Sequence, residues 1–320
     1  MKPPRVLTRQ TLGHSLLAAA FVGGSIPFIV GLLDEAGGDG RLYRAGAETW
    51  LSGGDPWLAG DSISRFAGPP TSVLVFTPAA WVDPQAFGWI VVVLSAIAGL
   101  LAVRRFGLPL YWFFFPPLTA GIWTGNPSVL MIGLASLAVG AGGGRWKAIP
   151  AAIGLLVKPL VAPGLLAERR FSVLALAALM AAATVVLFPG LWLHYAQQFS
   201  TIAGTLTENT HRSSAWYQAP WLLPPAIVAL IALALIDLRA AAWLLIPALG
   251  PVIEYHWAVL LLPVAHPVLA AAAFVPDWMW PAVVIAYVGV RYAERRRHRA
   301  GSKNVAPSTT SPEAVLSSAR

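Results

Sequence analysis

Long uncharged apolar runs, separated by short polar turns, dominate the chain. Leu16–Leu33, Phe87–Val103 and Val173–Phe188 contain no charged residue. At about 1.5 Å per residue, such runs are long enough to cross a hydrocarbon layer of roughly 30 Å. Further spans are expected at Leu108–Trp123, Pro127–Gly142, Pro220–Ile236, Ala240–Ile253, Ala258–Phe274 and Trp280–Tyr292. The pattern predicts an all-α fold, a polytopic transmembrane helix bundle of about 9–11 spans.

The N-terminus has the basic flank of either a signal peptide or a first membrane helix. Lys2, Arg5 and Arg9 precede its apolar run. Because the run is long and no small-residue cleavage pattern follows it, we expect an uncleaved first helix with its flank in the cytoplasm.

Most other basic pairs are predicted to lie on that same cytoplasmic side. This holds if Ala148–Leu166, with its three prolines, enters and leaves the membrane by one face. The residues concerned are Arg104, Arg105, Arg145, Lys147, Arg169, Arg170 and Arg239.

A polar, acidic loop follows the first helix, from Asp34 to Pro70. Since the N-terminal flank is basic, this loop is expected on the outer side. Within it, the spacing of apolar residues in Leu42–Leu51 predicts a short interfacial helix. Thr71–Val82 is apolar but too short to span, and is predicted to be a juxtamembrane helix.

The C-terminal end presents a conflict between charge and span count. Counting the predicted spans puts Arg291–Arg299 on the outer side, whereas their positive charge favours the cytoplasm. We expect residues 1–299 to form one transmembrane domain. Residues 300–320, rich in Ser, Thr and Pro, are expected to form a disordered cytoplasmic tail.

Composition makes lipid the main solvent of this chain. It is 57% apolar and 11% charged, with a mean hydropathy of +0.66. The net charge of +8 is clustered at helix ends, as topology signals are, so no nucleic-acid partner is expected. With no cysteine, thiol nucleophiles and thiolate metal sites are excluded. Neither a glycine-rich phosphate loop nor a His or Cys metal spacing occurs, so no metal and no cofactor is predicted.

Two polar residues are the leading catalytic candidates. Asp39 lies in a Gly-Gly-Asp-Gly segment, about one helical turn before Tyr43, where flexible backbone allows close approach of a substrate. The alternative is that Asp39 caps a helix beginning near Arg41. His256 follows Glu254 at the outer interface, and either supports chemistry there or is simply hydrogen-bonded.

Three cations are candidates to bind an anionic group. Lys158 is isolated in an apolar run, where an intramembrane lysine suggests function or pairs with a helix C-terminus. Arg212 and Arg65 lie in outer loops, where solvation alone would also explain them. The remaining loop acids are interpreted as solvated charges: Asp34, Glu35, Asp55 and Asp61.

The order of these motifs resembles glycosyltransferase family 87, the polyprenol-phosphate-mannose-dependent mannosyltransferases of the glycosyltransferase-C superfamily. The family usually has Tyr where this chain has Gly68, and Gly-Gln where it has Gly125-Asn126, so acceptor contacts are expected to differ. The matching positions are Asp39 with Tyr43, Gly54-Asp55-Pro56-Trp57, Phe66 with Pro69-Pro70, Phe76-Thr77-Pro78, Gly125-Asn126, and Lys158-Pro159 followed by Arg169-Arg170.

The resemblance implies a glycosyltransferase-C type bundle over residues 1–299, with the first-loop Asp and the late His acting together. These match Asp39 and His256. It implies inverting transfer of a hexose, with mannose expected, from a polyprenyl-phosphate sugar to a lipid or glycan acceptor on the noncytoplasmic face. Arg212, Arg65 and Lys158 would face the phosphate. Tyr43 and Glu254 are expected to contact substrate.

Two rival interpretations remain from the sequence. The first is a small secondary transporter or lipid flippase with Lys158 in its binding site. The second is a purely structural membrane subunit. The concentration of acids in the outer loop favours the enzyme, because transporters place ionisable residues near the midplane. In each case the expected location is the inner (plasma) membrane, surrounded by membrane lipids.

Overall fold

The computed structural model describes residues 9–31, 36–60, 65–139, 145–210, 214–251 and 255–304. Within these ranges the chain is helical, and a single bridge between Gly60 and Arg65 is the sole extended pairing. The α-helices are α1 (Arg9–Gly31), α2 (Gly38–Leu51), α3 (Pro70–Phe76), α4 (Pro84–Arg105), α5 (Pro116–Thr124), α6 (Pro127–Ala138), α7 (Ala148–Val157), α8 (Ala162–Ala167), α9 (Phe171–Leu187), α10 (Pro189–Thr210), α11 (Ala215–Gln218), α12 (Leu223–Ala234), α13 (Leu238–Leu249), α14 (Pro267–Ala270) and α15 (Trp280–Asn304).

Helix α4 shows how local sequence sets an element. Asp83 caps it by accepting a hydrogen bond from the backbone N–H of Ala86 at 2.9 Å, and Pro84 occupies the first turn. Arg104 and Arg105 close the last turn, where positive charge complements the helix dipole. Its 22 residues span about 33 Å, the thickness of a bilayer core.

Fewer unbroken membrane helices are present than the sequence pattern predicts. In the part of the chain that the structure describes, two helices are long and apolar enough to cross, Thr11–Gly31 and Pro84–Arg105. Two bent pairs raise the number to four if each is one span: α7 with residues 159–167, bent by 116°, and α9 with α10, bent by 99°. The expectation of about 9–11 continuous spans is therefore not met.

Prolines explain the difference, because each removes a backbone donor and interrupts a helix. The expected span Leu108–Trp123 consists of a 3₁₀ turn at Leu110–Phe114 followed by α5, which starts at Pro116. The expected span Pro127–Gly142 begins with α6, which ends after 12 residues and is about 18 Å long. The two first-loop helices are present, as α2 and as α3 with a 3₁₀ turn at Thr77–Trp81.

The broken hairpin expected in Ala148–Leu166 has its turn at Lys158. Lys158 ends α7 in an extended conformation, because the following Pro159 disfavours a helical residue before it. The second arm ends beside α13, where Glu168 forms an ion pair with Arg239. Lys158 is thus the tip of a hairpin whose second arm returns to the arginine-bearing end of the bundle.

A second hairpin resolves the conflict at the C-terminus. Residues 255–264 form a 3₁₀ helix that leads to His266, which pairs with Glu294 of α15 at 3.6 Å. The chain then returns, and the Tyr255 hydroxyl donates to the carbonyl of Ala273 at 3.1 Å. The single span expected at Ala258–Phe274 is therefore wrong: Pro263 and Pro267 divide it into two arms.

Because the chain returns after His266, the basic end of α15 lies at the same end of the bundle as the other basic residues. Arg291 lies 3.5 Å from Asp237, next to Arg239. Both arginines line one cavity of about 220 Å³ with Phe106, which directly follows Arg105. We call this region the arginine end. The basic residues of α15 therefore share an end with those of α4 and α13, as charge predicted and the span count did not.

Two buried apolar clusters organise the molecule. The main core joins α4–α7, α12, α13 and the 255–273 hairpin, with fully buried Trp243, Trp280 and Phe115. A second one, the outer cluster, lies under the first loop and consists of Tyr43, Ala47, Trp57, Ala59, Phe66, Val73, Phe76, Ala79, Phe87, Val91, Val157, Leu191 and Ile202.

The outer surface of the helices is strongly apolar. Exposed residues include Leu179 and Val186 on α9 and Val93 and Ile97 on α4, each more than half exposed. Water would not stabilise such a surface, whereas hydrocarbon does. The described residues thus form a helical, membrane-associated protein.

Candidate functional site

Asp39 lies in the first turn of α2, where three backbone segments come into close contact. Gly37 precedes the helix with φ of 72°, and its N–H donates to the carbonyl of Trp123 at 2.9 Å. A side chain at Gly37 would meet the backbone of Gly88 at 2.4 Å. Only glycine permits both the conformation and the approach, so α2 starts directly against α4 and the end of α5.

Asn126 connects this turn to α6. Gly125 ends α5 with φ of 67°, and Asn126 then caps α6, its Oδ1 accepting from the N–H of Ser128 at 2.9 Å. The Nδ2 group of Asn126 donates to Oδ2 of Asp39 at 2.8 Å. Asn126 is 4% exposed, so this contact is made in a desolvated environment.

Lys158 reaches the same asparagine from the tip of the α7 hairpin. Its Nζ donates to Oδ1 of Asn126 at 3.4 Å and to Oγ of Ser128 at 3.2 Å. Both contacts are at the start of α6, and they bring a positive charge to the site.

His256 approaches Asp39 from the start of the second hairpin. The distance between its Nε2 and Oδ2 of Asp39 is 3.8 Å, with 22% and 32% of the two side chains exposed. A side chain at Gly121 would meet the Cβ of His256 at 3.4 Å, so α5 supports the imidazole. The Nδ1 atom is buried and has no hydrogen-bond partner within the described ranges.

The expected distance of about 8 Å or less between the side chains of Asp39 and His256 is therefore confirmed. The helix-cap alternative for Asp39 is wrong: α2 starts at Gly38, and no side chain caps it. Both polar contacts of Asp39 fall on Oδ2, and the described residues leave Oδ1 without a partner. Such a carboxylate is held at one oxygen and can accept a proton at the other.

The other predicted site residues lie elsewhere or outside the described ranges. Tyr43 is buried in the outer cluster, with its ring 5.2 Å from that of Phe66. Arg65 lies in the bridge to Gly60, and none of the described contacts joins it to Asp39, His256 or Lys158. Arg212 and Glu254 belong to the residues that the structure does not describe.

The acids of α2 and the adjoining turn have structural partners. Asp55 accepts from the N–H of Trp57 at 2.9 Å, as a turn residue does, and also pairs with His194 of α10 at 3.0 Å. Glu48 forms an ion pair with buried Arg44 at 2.7 Å. These contacts account for the Asp55 and Glu48 carboxylates by structural roles. Asp39 differs from them because it lies beside His256.

One further acid near the hairpin titrates unusually. Asp277 lies in the 3₁₀ turn Asp277–Met279, between the returning arm and α15. Burial raises the pKa of its carboxyl to about 7. It therefore exchanges a proton near neutral pH, outside the spanning segments.

Sequence reasoning linked Gly125-Asn126 to acceptor contacts by resemblance alone; it predicted no contact of Asn126 with Asp39 and did not assign Ser128 to the site. The Gly-Asn-Pro-Ser segment carries a helix-cap signal, and the cap explains Asn126 locally. Its second contact, to a carboxylate 87 positions earlier, follows only from the packing of α2 against α4 and α5.

Comparison with protein-family models, with curated proteins and with solved structures finds no match to this chain. The described residues contain no group of three or more His, Asp or Glu side chains arranged to hold a metal ion.

Proposed function

We propose that this protein is a polytopic integral-membrane glycosyltransferase. It transfers a hexose, mannose in our proposal, from a polyprenyl-phosphate sugar to a lipid or glycan acceptor on the noncytoplasmic face of the cell membrane. The observation that carries the proposal is the arrangement of Asp39, His256 and Lys158 around Asn126, at the end of an apolar bundle away from its arginine end.

Asp39 is the proposed general base. In an inverting transfer, the acceptor oxygen bonds to the anomeric carbon while the bond from that carbon to the phosphate oxygen breaks. The hydroxyl becomes acidic only as it bonds, so its proton passes late to a carboxylate. Oδ1 of Asp39 receives this proton, because Oδ2 is already engaged by Asn126 and His256.

His256 and Lys158 have supporting roles in this proposal. His256 orients the carboxylate, and its buried Nδ1 is suited to a sugar hydroxyl. The leaving group is a lipid phosphate that takes the electron pair of the broken bond. Lys158 supplies a fixed positive charge close to the base, which stabilises the developing negative charge.

The decisive experiment is a transfer assay with purified protein in detergent, labelled polyprenyl-phosphate mannose and a membrane lipid extract. We expect a new mannosylated product with the wild-type chain. Asp39→Asn should lower turnover by about 10²–10⁴-fold and leave donor binding nearly unchanged, because the amide keeps the shape but cannot accept the proton.

Asp83→Asn is the matched control, since it removes one carboxylate at the start of α4 and still caps the helix. It should retain full turnover. Equal turnover of the Asp39→Asn variant and the wild type would overturn the assignment of the base.

The same assay in excess EDTA tests the metal prediction. The proposed donor has a single phosphate that Lys158 can meet, so activity should persist without divalent ions. A complete loss that magnesium or manganese restores would mean that Asp39 is a metal ligand rather than the base.

One observation favours a second candidate function, a transporter or flippase for lipid phosphates. Lys158 is the tip of a proline-broken hairpin, which is the way transporters present a binding residue. In proteoliposomes, movement of a fluorescent polyprenyl phosphate between leaflets without any new glycosidic product would support this candidate over the enzyme.

A further inference from the structure

Asn126 has more polar contacts than a helix cap requires. Capping α6 uses one of its atoms, Oδ1, for the N–H of Ser128. The same atom also accepts from the ammonium of Lys158, and the amide nitrogen donates to Asp39. One buried amide therefore joins a cation on one side to a carboxylate on the other.

The orientation of the amide is determined by its neighbours. An ammonium and a backbone N–H are donors only, so the oxygen of Asn126 must face Lys158 and Ser128. The NH₂ group then faces Oδ2 of Asp39. The pull of the ammonium on the amide oxygen polarises the amide and strengthens the hydrogen bond that it donates.

We infer that Asn126 is the positioning residue of this site, passing the influence of Lys158 to one oxygen of Asp39 and leaving the other oxygen for the substrate. Its catalytic meaning rests on the proposed function, whereas the contact itself is testable without any transfer reaction. No other common cap residue does the same, because Ser, Thr and Asp cap equally well but lack an amide donor.

The test separates capping from positioning by two substitutions that keep the cap. Asn126→Asp still accepts from Ser128 and Lys158 but presents a second carboxylate to Asp39. Asn126→Ser still caps α6 but is too short to reach Asp39, while Lys158 keeps its contact with Ser128. The control is Gln197→Glu, the same change from amide to acid on exposed Gln197 of α10.

The measurement is the pH dependence of Asp39 labelling by a water-soluble carbodiimide on the full-length protein in detergent, quantified on the Asp39 peptide by mass spectrometry. Carbodiimides modify protonated carboxyls, so the labelling midpoint follows the titration of Asp39. Two adjacent carboxylates resist joint ionisation, so Asn126→Asp should raise the midpoint by about one pH unit or more.

Asn126→Ser should raise the midpoint less, because the carboxylate loses one charge-assisted donor but gains no charged neighbour. Gln197→Glu should leave the midpoint within about 0.3 unit, and its thermal stability should match that of the wild type. An unchanged midpoint in both Asn126 variants would reduce Asn126 to a cap and overturn the inference.

The transfer assay on the same variants distinguishes the two proposals. Shifted midpoints together with a parallel upward shift of the pH–rate profile support both the positioning role and the proposed function. If the midpoints shift in the Asn126 variants but the wild-type chain transfers no sugar, the positioning role is supported and only the proposal of glycosyl transfer fails.

Discussion

At the scale of single residues, the site depends on a few side chains whose environments differ sharply. Asp39 is one-third exposed and bonded at one oxygen, whereas Asn126 beside it is almost fully buried. Lys158, at the tip of its hairpin, reaches Ser128 of α6. Substitutions that conserve shape therefore separate charge from packing at each position.

Lys158→Met tests the role of the ammonium, since it retains the length of the side chain and removes the charge. If Lys158 faces the donor phosphate, we expect at least a tenfold weaker affinity for polyprenyl-phosphate mannose, about 1.4 kcal/mol. Lys147→Met, at the other end of α7, is the control. Equal donor affinity in both variants would argue that Lys158 only supports Asn126.

Asp277 should make stability depend on pH. Its folded-state pKa is raised from 3.8 to about 7, so between about pH 4 and 7 the folded state holds a proton that the unfolded state has lost. The free energy of unfolding must therefore fall as pH rises through this window, by at most about 1.4 kcal/mol per pH unit, and become level above it.

The variant Asp277→Asn cannot ionise and should lack this contribution. Melting temperatures measured from pH 5 to 8 should decline less in the variant than in the wild type, with the difference largest at pH 8. Parallel pH dependence of the two proteins would show that Asp277 is solvated.

At the scale of elements, proline positions and ion pairs decide how the apolar segments meet. Helix α10 leaves α9 at a bend of 99° that coincides with Pro189. It is then held against the first loop by the contact of His194 with Asp55, which is an ion pair when the imidazole is protonated, and by ring contacts of Trp57 with His194 and Tyr195.

His194→Ala should loosen α10 without unfolding the bundle. A partly exposed ion pair contributes about 0.5–1 kcal/mol, so amide exchange in α10 should accelerate about two- to fivefold. Hydrogen exchange read by mass spectrometry checks this, with Gln197→Ala on the exposed side of α10 as the control. Equal exchange in the two variants would show that His194 is not needed for the docking of α10, which would leave the ring contact of Tyr195 with Trp57.

The sequence predicts the helical class and most helix positions, because apolar periodicity and caps are local signals. It fails at Ala258–Phe274, where a window of hydropathy cannot distinguish one span from two short arms joined at His266. It also gives Asp39 and His256 as candidates. The contact through Asn126 could not be predicted, since it depends on how closely Gly37 and Gly88 let two helices approach.

At the scale of the whole molecule, polarity is divided between two ends. The candidate site lies at one, and Arg239, Arg291 and the last turn of α4 lie at the other. From the distribution of positive charge, we expect the arginine end to face the cytoplasm. The first loop and the end of α15 are then expected on opposite sides of the membrane.

Because the chain contains no cysteine, single introduced thiols report these sides cleanly. With a membrane-impermeant maleimide on intact cells, Ser52→Cys should be labelled and Arg296→Cys should not; both positions are exposed. Both should react after permeabilisation. Labelling of Arg296→Cys in intact cells would refute the return of the second hairpin.

The chain order of the site residues has a consequence for biosynthesis. Asp39 comes early and His256 late, with about two hundred residues between them, so synthesis at 5–20 residues per second separates them by roughly 10–40 s. During that interval Asp39 gains Asn126 as a neighbour but still lacks His256, whereas Lys158 is made after both Asn126 and Ser128, which it contacts. The proposed site is therefore complete only when the last third of the chain has been made, and until then Asp39 lacks its histidine.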